Sequence, residues 1–168
     1  MKFTYRQGTI HDLPDIKNLA VKSWGRFQQQ LTEENWAKLH NTLTDIRTFT
    51  DLLDLSHCIV CTCDNEKIIG MAFLVPRGNP TPIYDKEWSY IRFITVDPDF
   101  SGQGIGRKLT TSCIDLARQS GDSIIALHTS ELMNDARHIY ESLGFTIVRE
   151  IDQRLGKRFW LYKLDLTS

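Results

Sequence analysis

Three scarcities in the sequence exclude three classes of protein. With 4 cysteines among 168 residues, the chain is too poor in cysteine to be a disulfide-stapled scaffold. Its 20 basic and 21 acidic residues give a net charge of -1, so no excess of positive charge favours nucleic acid or an anionic membrane. No apolar run approaches the roughly 20 residues that cross a bilayer. We therefore expect a globular protein with no nucleic-acid and no membrane partner.

The N-terminal segment also lacks the apolar core of a signal peptide, because residues 1–6 read Met-Lys-Phe-Thr-Tyr-Arg. We therefore expect a cytoplasmic location. The length of 168 residues and the hydrophobic content of 41% suit one domain with an ordinary core, which needs neither disulfides nor a structural metal. We expect a single domain over residues 1–168.

The cysteines include one motif that is typical of metal sites. Cys58 and Cys61 form a C-x-x-C that follows His57. A tetrahedral zinc site takes ligands from two separated pairs, and the sequence has no second pair. In an extended segment, Cys61 and Cys63 share one face and Cys58 lies on the other. We therefore expect ordinary core or surface thiols and no metal.

The hydrophobic spacing predicts alternating helices and strands. In chain order these are a strand at 3–6, a helix from about 12 to 24, a helix beginning near 32, a short helix at 45–54, strands at 58–63 and 68–75, a loop at 78–82, a strand at 90–96, a helix ending near 120, a strand at 123–128, a helix at 135–143, and strands at 145–151 and 159–166. A strand, a glycine turn, a helix and a strand in sequence form a βαβ unit with parallel strands. We predict a mixed α/β fold in which an antiparallel meander leads into a parallel pair.

The most informative segment is Ser101–Lys108, hereafter the glycine turn, which lies between a predicted strand and a predicted helix. Its glycines let the backbone approach a ligand closely, and the free N–H groups at the start of a helix suit a phosphate or diphosphate. Arg107 and Lys108 add positive charge, which is unfavourable for the helix dipole unless an anion binds there. The alternative is a tight turn that needs glycine for packing alone.

Two familiar phosphate motifs do not fit this turn. A P-loop that begins at Gly102 would need a glycine where Arg107 stands. A dinucleotide-binding fingerprint has the spacing G-x-G-x-x-G and an acidic residue at the end of the next strand. Here the spacing is G-x-G-x-G, and Asp122 precedes the next strand. We therefore set both motifs aside.

Two segments resemble the GNAT superfamily of N-acetyltransferases. Ser101–Gly106, preceded by Val96–Pro98, is similar to the first signature of the family, and Ala136–Phe145 is similar to its second landmark, an alanine, a tyrosine and a Gly-Phe pair. The resemblance implies an N-acetyltransferase domain. Its fold is a mixed, mostly antiparallel central sheet with a parallel, splayed strand pair and helices on both faces.

The resemblance also implies acetyl-CoA as the acetyl donor, with its diphosphate held by backbone amides from Gly102 to Arg107. The pantetheine arm enters the gap between the splayed strands and pairs with the backbone of Ile94 and Val96, as an added strand would. Ser101 stands where the family most often has glutamine or arginine. The implied cofactor-binding residues are Ile94, Thr95, Val96, Ser101, Gly102, Gln103, Gly104, Ile105, Gly106, Arg107, Asn134 and Tyr140.

Acetyl transfer to an amine needs a neutral amine, stabilisation of the developing oxyanion and a proton for the departing thiolate. By resemblance, Tyr140 is the general acid and the amide of Val96 faces the thioester oxygen. The alternative role for Tyr140 is packing against neighbouring apolar residues. The base is less defined, because Tyr90 stands where some family members have a carboxylate. We name Glu87, acting through a water, as the candidate base.

Three further points stay open at the level of sequence. Asp85, His128 and direct loss of the proton to bulk water compete with Glu87 for the role of base. The aromatic residues near the expected acceptor pocket belong either to the core or to a substrate site; they are Trp24, Phe27, Trp36, Trp88 and Trp160. We expect acetylation of a small-molecule or peptide amine, with a non-catalytic acyl-CoA-binding module as the alternative and a homodimer left open.

Overall fold

A seven-stranded sheet forms the centre of the protein, which is described here for residues 2–167 from a computed structural model. The strands are β1 (Thr4–Gln7), β2 (His57–Thr62), β3 (Ile68–Val75), β4 (Ser89–Val96), β5 (Ile124–Ser130), β6 (Thr146–Arg154) and β7 (Lys157–Asp165). Their order in the sheet is β1-β2-β3-β4-β5-β7-β6. Only β4 and β5 pair in parallel among these strands. This confirms the predicted fold class.

Five α-helices connect the strands within residues 2–167, and side-chain caps mark where two of them begin. The helices are α1 (Leu13–Gly25), α2 (Glu33–Thr44), α3 (Ile46–Leu55), α4 (Ile105–Gln119) and α5 (Asn134–Ser142). The Thr32 side chain accepts from the backbone N–H of Asn35 and fixes the start of α2. The Asp45 side chain accepts from the N–H of Arg47 in the same way for α3. The predicted segments are confirmed, with shifted ends: β5 runs on to Ser130 and β6 to Arg154.

The helices cover both faces of the sheet. Residues of α1, α2 and α3 pack on one face, with Ile16, Leu43 and Phe49 fully buried there. Residues of α4 and α5 pack on the other, with Leu109 fully buried and Tyr140 6% exposed. Each face therefore has its own apolar core, and the sheet separates the two.

The start of α4 lies close to the sheet because β3 has a glycine, Gly70, at the point of contact. A Cβ atom at Gly70 would lie 2.8 Å from Ile105 and 3.2 Å from Leu109. The first distance is shorter than a real Cβ atom allows and the second is tight, so glycine at this position permits the close approach of α4. The N-terminus of α4 is thereby fixed against the middle of the sheet.

The parallel strands β4 and β5 are paired over a very short stretch and then separate. β4 and β5 are paired only at Ser89 with Ile125 and at Tyr90 with Ala126. Beyond this point β4 has a bulge against β3, where the register shifts between Met71 and Phe73. Phe93 lies at the bulge with φ of 52°, a left-handed conformation that costs about 1–2 kcal/mol for a non-glycine residue. Its ring packs 5.0 Å from that of buried Phe49, which holds it there.

The cysteines lie as the sequence predicts. Cys58 packs in the core under α1–α3, and Cys61 packs in the core under α4 and α5. Both are buried free thiols, and burial raises the pKa of Cys58 to about 12. Within residues 2–167 no three His, Cys, Asp or Glu side chains cluster as metal ligands. In that same part of the chain, no helix has both the length and the apolar character that a membrane span needs.

Candidate active site

A cavity of about 530 Å³ occupies the gap between β4 and β5. One end, hereafter the glycine end, is lined by Ser101, Gly102, Gly104, Ile105 and Gly106. The opposite end, hereafter the arginine end, is lined by Arg92, His128, Arg154 and Phe159. Tyr140 also lines the cavity. The opening of the parallel pair therefore creates one continuous cavity from the glycine turn to a cationic group of side chains.

The glycine end presents free backbone donors. Gly102 and Gly104 have φ of 76° and 80°, a conformation that glycine adopts without strain. Within residues 2–167 the N–H groups of residues 102–104 have no acceptor, and the first N–H groups of α4 have none within the helix. The first turn of α4 contains no acidic side chain. Free donors at the positive end of a helix dipole suit a diphosphate.

The exposed edge of β4 adds two further backbone groups. The N–H of Asp97 donates to the carbonyl of Ile69 on β3 at 2.7 Å. Because N–H directions alternate along a strand, the N–H of Val96 points away from β3 and into the gap. The carbonyl of Val96 also points away from β3 and accepts from the Ser23 hydroxyl at 3.2 Å. The gap therefore has an unpaired strand edge, which can pair with an extended chain.

Helix α1 is anchored over the end of β4 by an ion pair. Lys22 lies 2.9 Å from Asp97 and 2.8 Å from Asp99. The Asp97 carboxylate is buried, and it also accepts from the backbone N–H of Asp99 at 2.9 Å. These contacts hold Ser23, which follows Lys22 in α1, against the carbonyl of Val96. The Val96-Asp97-Pro98 segment thus serves as the attachment of α1 to the cavity wall.

Tyr140 reaches the cavity from α5. The residue is 6% exposed, and its ring packs edge-to-face with Phe145 at 6.0 Å between centroids. Within residues 2–167 its hydroxyl has no hydrogen-bond partner, and no fully buried side-chain polar atom there lacks one, so the oxygen of Tyr140 is open to the cavity. Burial, and secondarily the Cys113 thiol, raises the pKa of Tyr140 above its ordinary value. The phenol therefore carries its proton at neutral pH and faces the cavity.

At the arginine end, a hydrogen-bonded chain runs from Arg154 to Tyr84. The Arg154 Nη1 donates to His128 Nε2 at 3.2 Å. A guanidinium cannot accept, so the neutral imidazole carries its proton on Nδ1 and donates it to the hydroxyl oxygen of Tyr84 at 2.5 Å. The Tyr84 ring stacks on that of Tyr90 with 4.0 Å between centroids. Burial, then the charges of Arg92 and Arg154, lowers the pKa of His128 to about 3.

The structure brings most of the predicted cofactor residues to the cavity and leaves some outside. Those that line it are Ile94, Thr95, Val96, Ser101, Gly102, Gly104, Ile105, Gly106 and Tyr140. Gln103, Arg107 and Asn134 do not line it, and Met133 lines it beside Asn134. Arg107 instead donates to the Ser142 hydroxyl at 2.7 Å and ties α4 to α5.

Neither candidate base is placed as the sequence suggests. Glu87 is exposed in the loop before β4 and does not line the cavity. Its backbone N–H donates to the Asp85 carboxylate at 2.8 Å. His128 does line the cavity, but it lies within β5 rather than at its end, and its Nε2 lone pair is occupied by Arg154. The positions of these side chains give no support to either as a base.

The aromatic candidates divide into two groups. Trp24 and Phe27 line the cavity and contact each other edge-to-face at 5.9 Å. Trp88 packs against the core under α1–α3. Trp160 packs against the other core, beneath the guanidinium of Arg137 at 3.9 Å. Of the two alternatives left open for these aromatics, a place on the cavity wall therefore applies to Trp24 and Phe27, which lie at and just after the end of α1, and a place in the core applies to Trp88 and Trp160.

Sequence reasoning missed Ser23, Tyr84, Arg92 and Arg154. One signal was present for Arg92, because it is the only charged residue of β4. Tyr84 lies in an irregular loop and Arg154 at the end of a hairpin strand, where no local pattern marks them. Their roles depend on contacts between segments that are distant in sequence.

Solved structures share this architecture. The PaiA N-acetyltransferase from Thermoplasma acidophilum, solved with coenzyme A, superposes with a TM-score of 0.78 at 14% identity over 98% of this chain and 99% of that chain. The structure of yncA from Salmonella typhimurium, solved with its cofactor acetyl-CoA, gives a TM-score of 0.70 at 18% identity over 100% of this chain and 96% of that chain. At these identities the likeness shows that the chain has the acetyltransferase fold.

Sequence comparison then identifies the family. The profile of the Acetyltransferase (GNAT) family matches residues 14–145, so the chain belongs to this family of acyltransferases. The chain is 30% identical over 133 residues to human N-acetyltransferase 8B, which covers 79% of this chain and 54% of that protein. It thus spans about half the length of this curated relative. The resemblance inferred from the two motifs is confirmed.

Proposed function

We propose that this protein transfers the acetyl group of acetyl-CoA to the primary amine of a small molecule or peptide, by direct attack within a ternary complex. The observation that carries the proposal is the single cavity that joins free backbone donors, an unpaired strand edge and the Tyr140 hydroxyl. Family membership supports acetyl transfer in general, and the acceptor and the roles of individual residues belong to the proposal.

The residues of the cavity fit the parts of acetyl-CoA. Backbone N–H groups at the glycine end suit the diphosphate, and the edge of β4 at Ile94 and Val96 suits the two amides of the pantetheine arm. When bound, acetyl-CoA supplies an acetyl thioester, whose carbonyl carbon is the atom that the amine nitrogen attacks. The N–H of Val96, which points into the gap, is our candidate donor to the thioester oxygen.

Tyr140 is our candidate for the acid. Its phenolic proton goes to the departing sulfur as the new amide bond forms, and the phenolate regains a proton from solvent, to which the amine has lost one. The raised pKa keeps the phenol protonated before each turnover. Glu87 remains a candidate base from the sequence, but its exposed position outside the cavity lining does not favour that role. Loss of the amine proton to water in the open cavity requires no base residue.

Replacement of Tyr140 by phenylalanine tests the proposal. Thiol release from acetyl-CoA, measured over a panel of amines, should fall about a hundredfold in kcat for Tyr140→Phe, while the Kd for CoA stays within about twofold. Tyr5→Phe is the matched control, because Tyr5 lies on β1 outside the cavity lining. Binding of acetyl-CoA without turnover of any amine by the wild type would instead support the alternative, a non-catalytic acyl-CoA-binding module.

The cytoplasmic location, the single N-acetyltransferase domain over residues 1–168 and the open question of a homodimer stay predictions from the sequence. None of them enters the chemistry above. The measurement of turnover therefore tests the catalytic proposal independently of all three.

A further inference from the structure

Two arginines at the arginine end face the cavity without a carboxylate partner. Within residues 2–167, neither Arg92 nor Arg154 forms a salt bridge. The Arg92 guanidinium lies 5.2 Å from the centroid of Phe93, and that of Arg154 lies 6.0 Å from the centroid of Phe159. A guanidinium has five N–H donors, and the bond from Arg154 to His128 uses one of them. Both guanidinium groups therefore keep free N–H donors and an unpaired positive charge that a ligand could engage.

The two charges act on the same point. Burial raises the pKa of Tyr84 and lowers the pKa of His128, and in both groups the nearby charges of Arg92 and Arg154 act to lower it. Among the residues that the structure describes, Asp135 at the start of α5 is the only acidic one that lines the cavity. Asp135 acts on Arg26, where burial lowers the pKa of the guanidinium and Asp135 opposes that shift. The arginine end thus carries an uncompensated positive potential.

The same end has apolar walls. Leu39, Phe93, Leu155 and Phe159 line the cavity together with the two arginines. A site that combines convergent guanidinium groups with apolar walls suits a ligand that has an anionic head and an apolar body. Paired guanidinium forks match the planar oxygens of a carboxylate.

We propose that the arginine end binds the carboxylate of the acceptor, so that the amine acetylated is that of a small α-amino acid with an apolar side chain. This inference rests on the proposed function, which requires an amine beside Tyr140, and adds the group that orients it. The positive potential also favours the neutral, nucleophilic form of a nearby amine over the ammonium. No carboxylate base is then needed at this end of the cavity.

The hydrogen-bonded chain gives Arg154 a fixed position. Tyr84 holds the tautomer of His128, and His128 holds one N–H of Arg154. His128 and Tyr84 are therefore positioning residues, and the two arginines are the groups that touch the carboxylate. This arrangement holds the guanidinium of Arg154, at the end of β6, on the cavity wall where a carboxylate can meet it.

The test compares acceptors that differ only in the carboxylate. We would measure kcat/KM for L-leucine and L-phenylalanine against L-leucinamide and L-phenylalaninamide, with phosphoethanolamine as a second kind of anion. In Arg154→Gln, the acid-to-amide ratio of kcat/KM should fall at least tenfold relative to the wild type, since the charge-assisted hydrogen bonds are lost. Using the ratio between variants cancels the different intrinsic basicities of the amines. Arg92→Gln should act in the same direction.

Arg149→Gln is the matched control, because Arg149 is an exposed arginine of the same strand that does not line the cavity. It should leave the ratio unchanged. Circular dichroism and the Kd for CoA identify any variant that fails to fold. Calorimetric titration of N-acetyl-L-phenylalanine into the CoA complex then tests the carboxylate site without turnover, and Arg154→Gln should weaken this binding at least tenfold.

The outcomes separate the two proposals. Acetylation of the amides with an acid-to-amide ratio that Arg154→Gln leaves unchanged would overturn the carboxylate site and leave the acetyltransferase intact. A preference for phosphoethanolamine, or for peptides over all free amino acids, would overturn it as well. Binding of N-acetyl-L-phenylalanine that depends on Arg154, without turnover of any amine, would support the site and reject the proposed function.

Discussion

The glycine end and the arginine end of the cavity are built from different parts of the polypeptide. At the glycine end the ligand-facing groups are backbone N–H donors that come from one short segment. At the arginine end they are side chains of β4, β5 and β6, held by a tyrosine from a loop. A site made of backbone depends on glycine and on helix position, whereas a site made of side chains depends on which strands meet. The two ends should therefore respond differently to mutation.

The largest effect should follow a change of backbone and charge at the glycine end. Gly104→Glu should lower the affinity for CoA at least a hundredfold, because a glutamate at φ of 80° is strained and its carboxylate repels the diphosphate. Calorimetric titration of CoA measures the loss.

The matched control for this substitution is Gly121→Glu. Gly121 has φ of 78° and, like Gly104, open space around the position of a Cβ atom, but it lies at the other end of α4. The control therefore carries similar backbone strain and should bind CoA as the wild type does. Equal loss of affinity in both variants would mean that strain alone explains the first result.

A smaller effect, on stability, should appear at the arginine end. The pKa of His128 is lowered from 6.5 to about 3 in the folded protein, so the folded ring stays neutral at a pH where the unfolded ring is protonated. The contribution to stability is complete above the unfolded pKa and is lost as the pH falls from 6.5 towards 3. At pH 5 the loss should be roughly 2 kcal/mol of unfolding free energy.

Urea unfolding of the wild type and of His128→Asn measures this loss. The stability difference between the two proteins should change by about that amount between pH 7 and pH 5, because all other titrating groups are common to both. Between pH 7 and pH 8 the difference should stay constant. A constant difference down to pH 5 would show that the arginine end does not hold His128 in its neutral form.

The smallest effect should follow loss of a side chain at the glycine end. Ser101 lines the cavity and is exposed, and its hydroxyl makes no hydrogen bond within residues 2–167. If backbone donors hold the diphosphate, Ser101→Ala should leave the Kd for CoA within about twofold. A tenfold loss would show that side chains also contribute, and the contrast between the two ends would weaken.

Local patterns were sufficient for the elements and for the glycine end. Helical spacing in α4 and β-branched runs in β3 and β4 place those elements within a few residues of their observed ends. The ends of β5 and β6 were less readable, because their last residues are polar and are added by pairing with β7. Asn134 and Glu87 stay predictions that lie outside the cavity lining, because neither the direction of a side chain nor the edge of a cavity follows from a motif.

Local sequence patterns set the order of the elements, the turn of Ser101–Lys108 and the place of Tyr140 on a later helix. These features are set by neighbours within a few residues, through helix spacing, capping and the conformational freedom of glycine. Contacts in the folded protein, by contrast, place Phe93 at the bulge beside the gap and bring Arg92, His128 and Arg154 together in the cavity. Those contacts join residues that are far apart along the chain, and their energies depend on burial and on mutual charge, which no local pattern contains.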